Sequence, residues 1–332
     1  MNGPYYFQIK RVERPSVEEF RRHYEIPMKP VVITGALTGW KTMSLWTHGW
    51  FKQHYETKVV NLSVTPNYTA RPVQMNIADY MDSILSNTGE LLYMDQCPAE
   101  EFPGLEDDFQ TPEYCHPERR HVVNLWIGPA ETVLGFHKDN HNSYDWINNI
   151  FVQICGRKHV VMVSGDQDMF MYKRAPEEED AFHSHISDPR NVDFSKYPLF
   201  RKATLFETII YPGEIVFIPG NYWHYVHALD KSISMSFWWR HHRIADIINR
   251  YFERAAVSKG GDFLQSHKGT ITMKDVEDFG GIERLIDGFN SLGEYRHSAL
   301  DLLDISARAA LEKRKLNQLA RVKLKRLYPS LE

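Results

Sequence analysis

Residues 121 to 240 consist mostly of short runs rich in β-branched and aromatic side chains, separated by glycine, proline and aspartate. Examples are Lys158 to Val163, Thr204 to Tyr211, Glu214 to Ile218 and Ser232 to Trp239. No long helical pattern comes between these runs. Many short strands without intervening helices are typical of an all-β sandwich or barrel, which is the fold class predicted for this segment.

The residues before this segment mix helix and strand signals. Ser16 followed by Glu19 predicts a capping box at the start of a helix. The segments Pro30 to Gly35, Val59 to Val64 and Leu91 to Met94 each predict a short strand. We therefore expect N-terminal α/β elements joined to the β domain.

The chain changes character after Trp239. Residues 241–332 read as helical, with segments near 243–257, 281–290 and 297–327, and the last of these is strongly basic. We predict a mainly β domain over residues 1–240 and a C-terminal helical region over residues 241–332. The basic stretch fits either a solvated, salt-bridged helix or a nucleic-acid contact.

Bulk properties exclude several classes of protein. The net charge of −4 over 332 residues indicates no particular partner. Cys97, Cys115 and Cys155 form no Cys-x-x-Cys pair, which favours reduced thiols in an intracellular compartment. Neither a secretory signal nor a run of about 18 apolar residues is present. We expect a cytoplasmic or nuclear protein that does not contact membranes.

His137, Asp139 and His224 are the candidate metal ligands. Side chains at i and i+2 of an extended segment point to the same face, so His137 and Asp139 could enter one cavity. Two imidazoles and one carboxylate, with coordination positions left open, are the ligand set of non-haem Fe(II) oxygenases. The residues alone leave open the alternative of a surface histidine and a solvated aspartate.

The surroundings of this motif distinguish it from chance matches. With 16 histidines and 43 acidic residues, about two His-x-Asp/Glu matches are expected from ordinary composition. The second match, His116-Pro117-Glu118, lies in a charged stretch with several prolines, which predicts a loop. His137 instead lies between two strand-like runs, Val122 to Ile127 and Ile150 to Ile154.

Several spaced motifs in a fixed order extend this pattern over residues 10 to 240. They are Lys29 to Gly35, Leu125 to Pro129, Phe194 to Phe200, Gly213 to Pro219, Tyr222-Trp223-His224 and Ser236 to Trp239. Together they resemble the JmjC-domain 2-oxoglutarate oxygenases. The resemblance is to the small hydroxylase branch, with its factor-inhibiting-HIF-type, JMJD-five-type and tRNA wybutosine hydroxylases.

The resemblance implies a double-stranded β-helix, the flattened jelly-roll of the cupins. His137 and Asp139 would lie at the end of its second core strand and His224 on its seventh. These three match the family's catalytic iron ligands, and His224 holds the motif position after Tyr-Trp. Three nearby histidines are alternatives for the third ligand, namely His141, His159 and His227.

The implied cofactors are Fe(II) and the co-substrate 2-oxoglutarate. Lys158 and Tyr93 match the residues that bind the distal carboxylate, Asn149 matches a polar residue near the C1 carboxylate, and Ser236 matches a polar contact beside the metal. A buried dicarboxylate needs a cation and hydroxyl donors to offset its desolvation. Taken singly, these residues also fit roles without function: Lys158 as a surface lysine, Tyr93 as a structural tyrosine and Asn149 as a turn residue.

Two departures from the family pattern stand out. Relatives usually carry threonine or serine three residues before the first ligand, where this chain has Leu134. Either another donor substitutes for the hydroxyl or co-substrate binding is weaker. About six extra residues also lie within 140–147, as a substrate-shaping segment or as a plain loop insertion.

The predicted function is hydroxylation of an amino-acid side chain in a protein substrate. Three alternatives remain: a tRNA-base hydroxylase, a lysine or arginine demethylase, and a catalytically silent cupin-like module. The C-terminal helices are expected either to form a homodimer interface or to cover the end of the barrel. Substrate choice is expected to depend on the loops at 65–80, 99–120 and 140–147.

Overall fold

The described part of the chain is given by a computed structural model covering residues 3–65, 72–116, 122–139, 146–175 and 182–240. The chain divides into two compact units, residues 1–139 with 147–240, and residues 140–146 with 241–332. Apart from Trp146, the second unit lies outside the described residues. The predictions for the C-terminal helices, the basic stretch, the dimer interface and most of the 140–147 insertion therefore lie outside them too.

The described residues form mostly strands. In chain order these are β1 (Tyr5–Gln8), β2 (Arg11–Glu13), β3 (Val31–Thr34), β4 (Val59–Val64), β5 (Val73–Asn76), β6 (Leu92–Pro98), β7 (Val122–Gly128), β8 (Val133–His137), β9 (Ile147–Cys155), β10 (Lys158–Val163), β11 (Thr204–Ile210), β12 (Ile215–Ile218), β13 (Trp223–Ala228) and β14 (Ser232–Arg240). The α-helices are α1 (Val17–Phe20), α2 (Thr42–Leu45), α3 (His48–His54) and α4 (Ile77–Ser86). A π-helical turn covers Arg21–Glu25, and 3-10 turns cover Ala99–Glu101, Leu105–Asp108, Gly165–Phe170 and Pro198–Lys202.

Strands β7 to β14 are the eight core strands, and the chain passes back and forth between two sheets. One sheet has the order β1-β11-β10-β13-β8, and the other has the order β2-β3-β12-β9-β14-β7-β6-β4-β5. Each sheet therefore contains four core strands, and this is the double-stranded β-helix. The predicted fold class is confirmed.

The apolar interior is layered. One cluster lies between the sheets, and another packs the opposite face of the larger sheet against α3 and α4. Strand β14 contributes Ile233, Met235 and Phe237 to this second cluster, while the alternate Ser234 and Ser236 are also fully buried. Both faces of β14 are thus covered, since its residues alternate between them.

Most of the predicted elements are present. The capping box of Ser16 and Glu19 starts α1, and the strands predicted at Val59 to Val64 and Lys158 to Val163 have the observed bounds. Helix α4 was not predicted, although its buried Ile77, Tyr80, Met81 and Ile84 follow helical spacing. That signal was present in the sequence and was missed.

Candidate metal and co-substrate site

Strand pairing brings together the three candidate metal ligands. His137 ends β8, the second core strand, and His224 lies on β13, the seventh. The two strands are antiparallel, and His137 lies directly opposite His224, with 4.0 Å between the ring centroids. Residues 87 positions apart in sequence are therefore neighbours because of the sheet register. Asp139, two residues beyond His137, completes the group.

The distances within this group suit a metal ion. Asp139 Oδ1 lies 3.5 Å from His137 Nε2 and 3.4 Å from His224 Nε2. All three ligand atoms lie within 4.8 Å of one another. Bonds of about 2.0–2.2 Å at right angles would place adjacent ligand atoms about 3 Å apart. Small movements would therefore bring the three atoms onto one ion.

Hydrogen bonds to the backbone orient both imidazoles. His137 Nδ1 lies 2.8 Å from the Gly135 carbonyl oxygen, and His224 Nδ1 lies 3.3 Å from that of Tyr222. When each Nδ1–H donates to its carbonyl, each Nε2 presents a lone pair, as in metal-binding histidines. His137 Nε2 is buried without a hydrogen-bond partner. A buried acceptor of this kind is costly unless a ligand satisfies it, so the residues fit a metal ion.

Burial and charge set the ionisation of the three groups. Burial opposes ionisation of Asp139, but the two imidazoles outweigh it and hold the pKa of that carboxyl below its usual range. Burial and the neighbouring His224 lower the pKa of His137. For His224, burial favours the neutral ring, yet Asp139 raises its pKa overall. Metal binding requires an ionised carboxylate and neutral imidazoles. The shifts of Asp139 and His137 favour that state, whereas the raised pKa of His224 means that metal binding there competes with a proton.

Asn149, on β9, contacts the acidic ligand. Its Nδ2 donates a hydrogen bond of 3.1 Å to Asp139 Oδ2. The other carboxylate oxygen, Oδ1, is the one that lies near the two imidazoles. Its Oδ1 is buried and has no hydrogen-bond partner. The structure therefore places Asn149 at the metal group, with one unsatisfied acceptor.

A small cavity opens beside these residues, with a volume of about 290 Å³ including its mouth. Its wall combines the metal group with a mostly apolar surface, formed by Tyr93, Trp126, Leu134, His137, Asp139, Asn149, Phe151, Ile218, His224 and Val226.

Lys158 begins β10, which pairs with β13 on the side away from β8. In the β10–β13 register, His224 pairs with Met162 and Lys158 pairs with Ala228, so Lys158 is four residues from the metal end, or about 13 Å. The side chain is 1% exposed, and its Nζ donates to the Tyr93 hydroxyl at 3.0 Å. Burial lowers the pKa of Lys158 to about 7.

This lysine lacks a countercharge in the described residues: burial lowers its pKa, and no described carboxylate offsets that effect. A buried ammonium without an anion is costly. A ligand carboxylate next to Tyr93 would remove that cost. The residues present therefore fit a dicarboxylate such as 2-oxoglutarate, with one end at the metal group and the other at Lys158.

The remaining predicted positions differ in their distance from the cavity. Leu134 lines the cavity, at the position where relatives usually carry threonine or serine. The cavity wall also contains Tyr93, which supplies a hydroxyl. Ser236 is fully buried and accepts a hydrogen bond of 2.9 Å from the indole Nε1–H of Trp126, a wall residue. Ser236 thus lies behind the wall.

The alternative histidines are engaged elsewhere. His159 Nε2 lies 3.1 Å from Glu207, and His227 Nε2 lies 3.0 Å from Glu131. His141 lies outside the described residues. Within the described ranges, one group of at least three His, Cys, Asp or Glu side chains is placed to hold a metal ion, and it consists of His137, Asp139 and His224.

Sequence reasoning missed two neighbours of the site. His183 stacks on His137, with ring centroids 5.4 Å apart, and the two residues form an isolated antiparallel bridge. Lys138, the middle residue of the motif, is buried. No sequence pattern links His183 to His137, whereas strand alternation could have indicated that Lys138 points away from the cavity.

Comparison with known proteins agrees with this geometry. The sequence model of the cupin-like domain family matches residues 17–244. The chain is 32% identical over 241 residues to "Lysine-specific demethylase 8" of Xenopus tropicalis, which covers 70% of this chain and 52% of that protein. This chain belongs to the cupin-like JmjC oxygenase family. The JmjC homologues use Fe(II) and 2-oxoglutarate, the two cofactors expected from the sequence.

Other relatives of this JmjC chain carry different names. "Lysine-specific demethylase JMJ30" of Arabidopsis thaliana is 29% identical over 245 residues, covering 69% of this chain and 55% of that protein. "tRNA wybutosine-synthesizing protein 5" of Gallus gallus is 27% identical over 259 residues, covering 70% of this chain and 77% of that protein. The chain spans about half the length of the two demethylases. No helix in the described ranges is long and apolar enough to cross a membrane.

Proposed function

We propose that this chain is an Fe(II)- and 2-oxoglutarate-dependent oxygenase that hydroxylates an amino-acid side chain of a protein substrate. One observation carries the proposal: the His-Asp-His group lines the cavity, and so does Tyr93, whose hydroxyl contacts a buried lysine without a countercharge in the described residues. The first suits a divalent metal and the second suits a carboxylate.

The metal end would work as follows. His137, Asp139 and His224 would hold the ion and would leave its other coordination positions open. Fe(II) and 2-oxoglutarate, when bound, supply the oxidising chemistry: O₂ converts 2-oxoglutarate to succinate and CO₂, and one oxygen atom enters a substrate C–H bond. Asn149 holds the second oxygen of Asp139, which keeps the first directed at the imidazoles.

The lysine end would bind the co-substrate. Protonated Lys158 and the Tyr93 hydroxyl lie 3.0 Å apart and together can bind a carboxylate. The apolar side chains Leu134, Ile218 and Val226 line the wall and limit the entry of water. Ser236 supports that wall through Trp126.

Demethylation of a methylated lysine is the second candidate, favoured by the names of two relatives. It shares the first step, because a hydroxylated N-methyl group collapses to formaldehyde and the free amine. We favour stable hydroxylation, since the sequence motifs resemble the small hydroxylases. The reaction product separates the two: a peptide heavier by one oxygen atom, or a peptide lacking a methyl group together with formaldehyde.

A tRNA base is the third candidate substrate. A relative named for tRNA wybutosine synthesis is covered over 77% of its length, and the C-terminal stretch from Arg308 to Arg326 is basic. Contacts with phosphates would make tRNA binding fall steeply with added salt. Absent or salt-independent binding of tRNA would remove this candidate.

The test of the proposed chemistry is spectroscopic. Wild-type protein with Fe(II) and 2-oxoglutarate under anaerobic conditions should give the weak visible charge-transfer band of such complexes, and it should form succinate in air. His137→Ala should abolish both. His159→Ala is the matched control, because His159 pairs with Glu207 on another part of the sheet. If the wild type gives neither band nor succinate, the chain is a catalytically silent cupin-like module.

A further inference from the structure

Lys138 lies between the two ligands of the His137-x-Asp139 motif, yet it points away from the cavity. Successive residues of an extended segment face opposite sides, so His137 and Asp139 share one side and Lys138 takes the other. The residue is only 6% exposed. Lysines this deeply buried are rare unless the ammonium is paired.

The ammonium of Lys138 is held by three side chains. Its Nζ donates to Asp168 Oδ1 at 2.6 Å and to Asn221 Oδ1 at 2.7 Å, and it lies 4.9 Å from the centroid of the Trp223 ring. The Trp223 indole Nε1–H donates to the same Asp168 oxygen at 2.6 Å. Lys138, Asp168, Asn221 and Trp223 are called the lysine cluster below.

The lysine cluster joins three segments that are distant in sequence. These are the end of β8, the 3-10 turn Gly165–Phe170, and the chain entering β13. Lys138 follows His137, and Trp223 precedes His224. Because His137 and His224 are directly opposite each other, the cluster ties together the two strand ends that carry the metal ligands, from the other side of the sheet.

The close approach around Asn221 indicates that this arrangement is tightly constrained. Asn221 has a φ of +64°, a left-handed conformation that is uncommon for a residue other than glycine. A Cβ atom on Gly165 would lie 2.2 Å from Asn221 Nδ2 and 2.4 Å from Asn221 O. Glycine is therefore required at position 165 for Asn221 to reach Lys138.

We propose that Lys138 is a positioning residue for the metal ligands, which fixes Asp139 and His224 relative to His137 before the ion binds. β8 is an edge strand of its sheet, and beyond it His137 makes one isolated bridge, to His183. Two backbone hydrogen bonds join the end of β8 to residues 182–184: Lys138 N–H donates to Phe182 O at 3.1 Å, and Ser184 N–H donates to Phe136 O at 2.8 Å. The lysine cluster adds side-chain contacts that link this end to the chain entering β13. This inference rests on the proposed function, because it concerns a metal bound by the same three residues.

The test compares metal binding by two lysine variants. Lys138→Met should lower Co(II) affinity about 10- to 100-fold, the range seen when outer groups that orient ligands are removed. It should also change the visible Co(II) spectrum, which reports ligand geometry. Lys58→Met is the matched control, since Lys58 pairs with Glu101 at 3.0 Å and its Nζ lies 5.0 Å from the Phe102 ring centroid. This control should keep wild-type affinity and spectrum.

A second variant covers the case in which Lys138→Met does not fold. Asp168 has a side chain 48% exposed, and Asp168→Asn keeps an acceptor for Trp223 while removing the charge. It should weaken Co(II) binding in the same direction, by a smaller factor. Wild-type affinity and spectrum in every variant that folds would overturn the proposal, even if the melting temperature fell. A wild-type protein that does not bind Co(II) would overturn the proposed function and this role together.

Discussion

The two ends of the cavity satisfy their polar groups in different ways. At the metal end, His137 and His224 are oriented by backbone carbonyls, and Asp139 is held by Asn149. At the other end, buried Lys158 contacts the Tyr93 hydroxyl, and no described carboxylate pairs with it. The protein thus pre-positions the metal ligands itself, whereas the co-substrate end needs a ligand's negative charge to be stable.

The largest expected effect is at the metal end. Asp139→Ala removes the anionic ligand and the partner of both imidazoles, so it should abolish measurable Co(II) binding and succinate formation. Asp230→Ala, which breaks a surface pair with Arg157, is the control and should change neither. Titration with Co(II) measures the result. Retained binding in Asp139→Ala would mean that the metal is held elsewhere.

At the lysine end, one substitution should move two properties in opposite directions. Lys158→Met removes the charge that binds the carboxylate, so 2-oxoglutarate affinity should fall about 100-fold. It also removes a buried cation that has no countercharge in the described residues, so the ligand-free protein should melt about 2–5 °C higher. Calorimetry and thermal melting measure the two effects. A lower melting temperature would show that Lys158 is already paired without ligand, which would end the contrast between the two ends.

The lowered pKa of Lys158 gives a pH dependence. The unfolded lysine titrates near 10.4 and the folded one near 7, so between these values the unfolded chain binds more protons and stability of the ligand-free protein rises with pH.

A bound carboxylate favours the charged form of Lys158. Above pH 7, affinity for 2-oxoglutarate should therefore fall about tenfold per pH unit, with uptake of one proton. Calorimetry in buffers of different ionisation enthalpy measures this uptake, and binding without it would contradict the assignment.

The smallest expected effect concerns the wall between the two ends. Leu134→Thr would place a hydroxyl where relatives usually carry one, and a single new hydrogen bond should raise 2-oxoglutarate affinity about two- to tenfold. Leu134→Val controls for the change in size and should not raise affinity. Equal affinity in wild type and Leu134→Thr would show that Tyr93 already supplies the needed donor.

Much of the fold could be predicted because local patterns encode it. The alternating strands of residues 121–240, the capping box at Ser16 and the spaced JmjC motifs are all read within short windows, and the structure contains the corresponding elements. The three ligand residues could also be predicted: spacing places His137 and Asp139 on one face, and the resemblance to the JmjC oxygenases indicated His224. The contact of Ser236 with Trp126 and the stacking of His183 on His137 could not be predicted, because each joins residues far apart in the chain. The hydrogen bond from Asn149 to Asp139 spans only ten residues, but it depends on how the end of β8 lies against β9.

The sequence by itself indicated a mainly β domain, because strand periodicity is a local property. Its spaced motifs are local too, and through their resemblance to the JmjC oxygenases they indicated the family, the double-stranded β-helix and the side chains that could hold a metal. Tertiary structure decided which histidines meet, that Lys138 belongs to a cluster behind the metal group, and that Lys158 is buried with a lowered pKa. Those outcomes follow from strand register and burial, which depend on the packing of the whole domain rather than on any short segment.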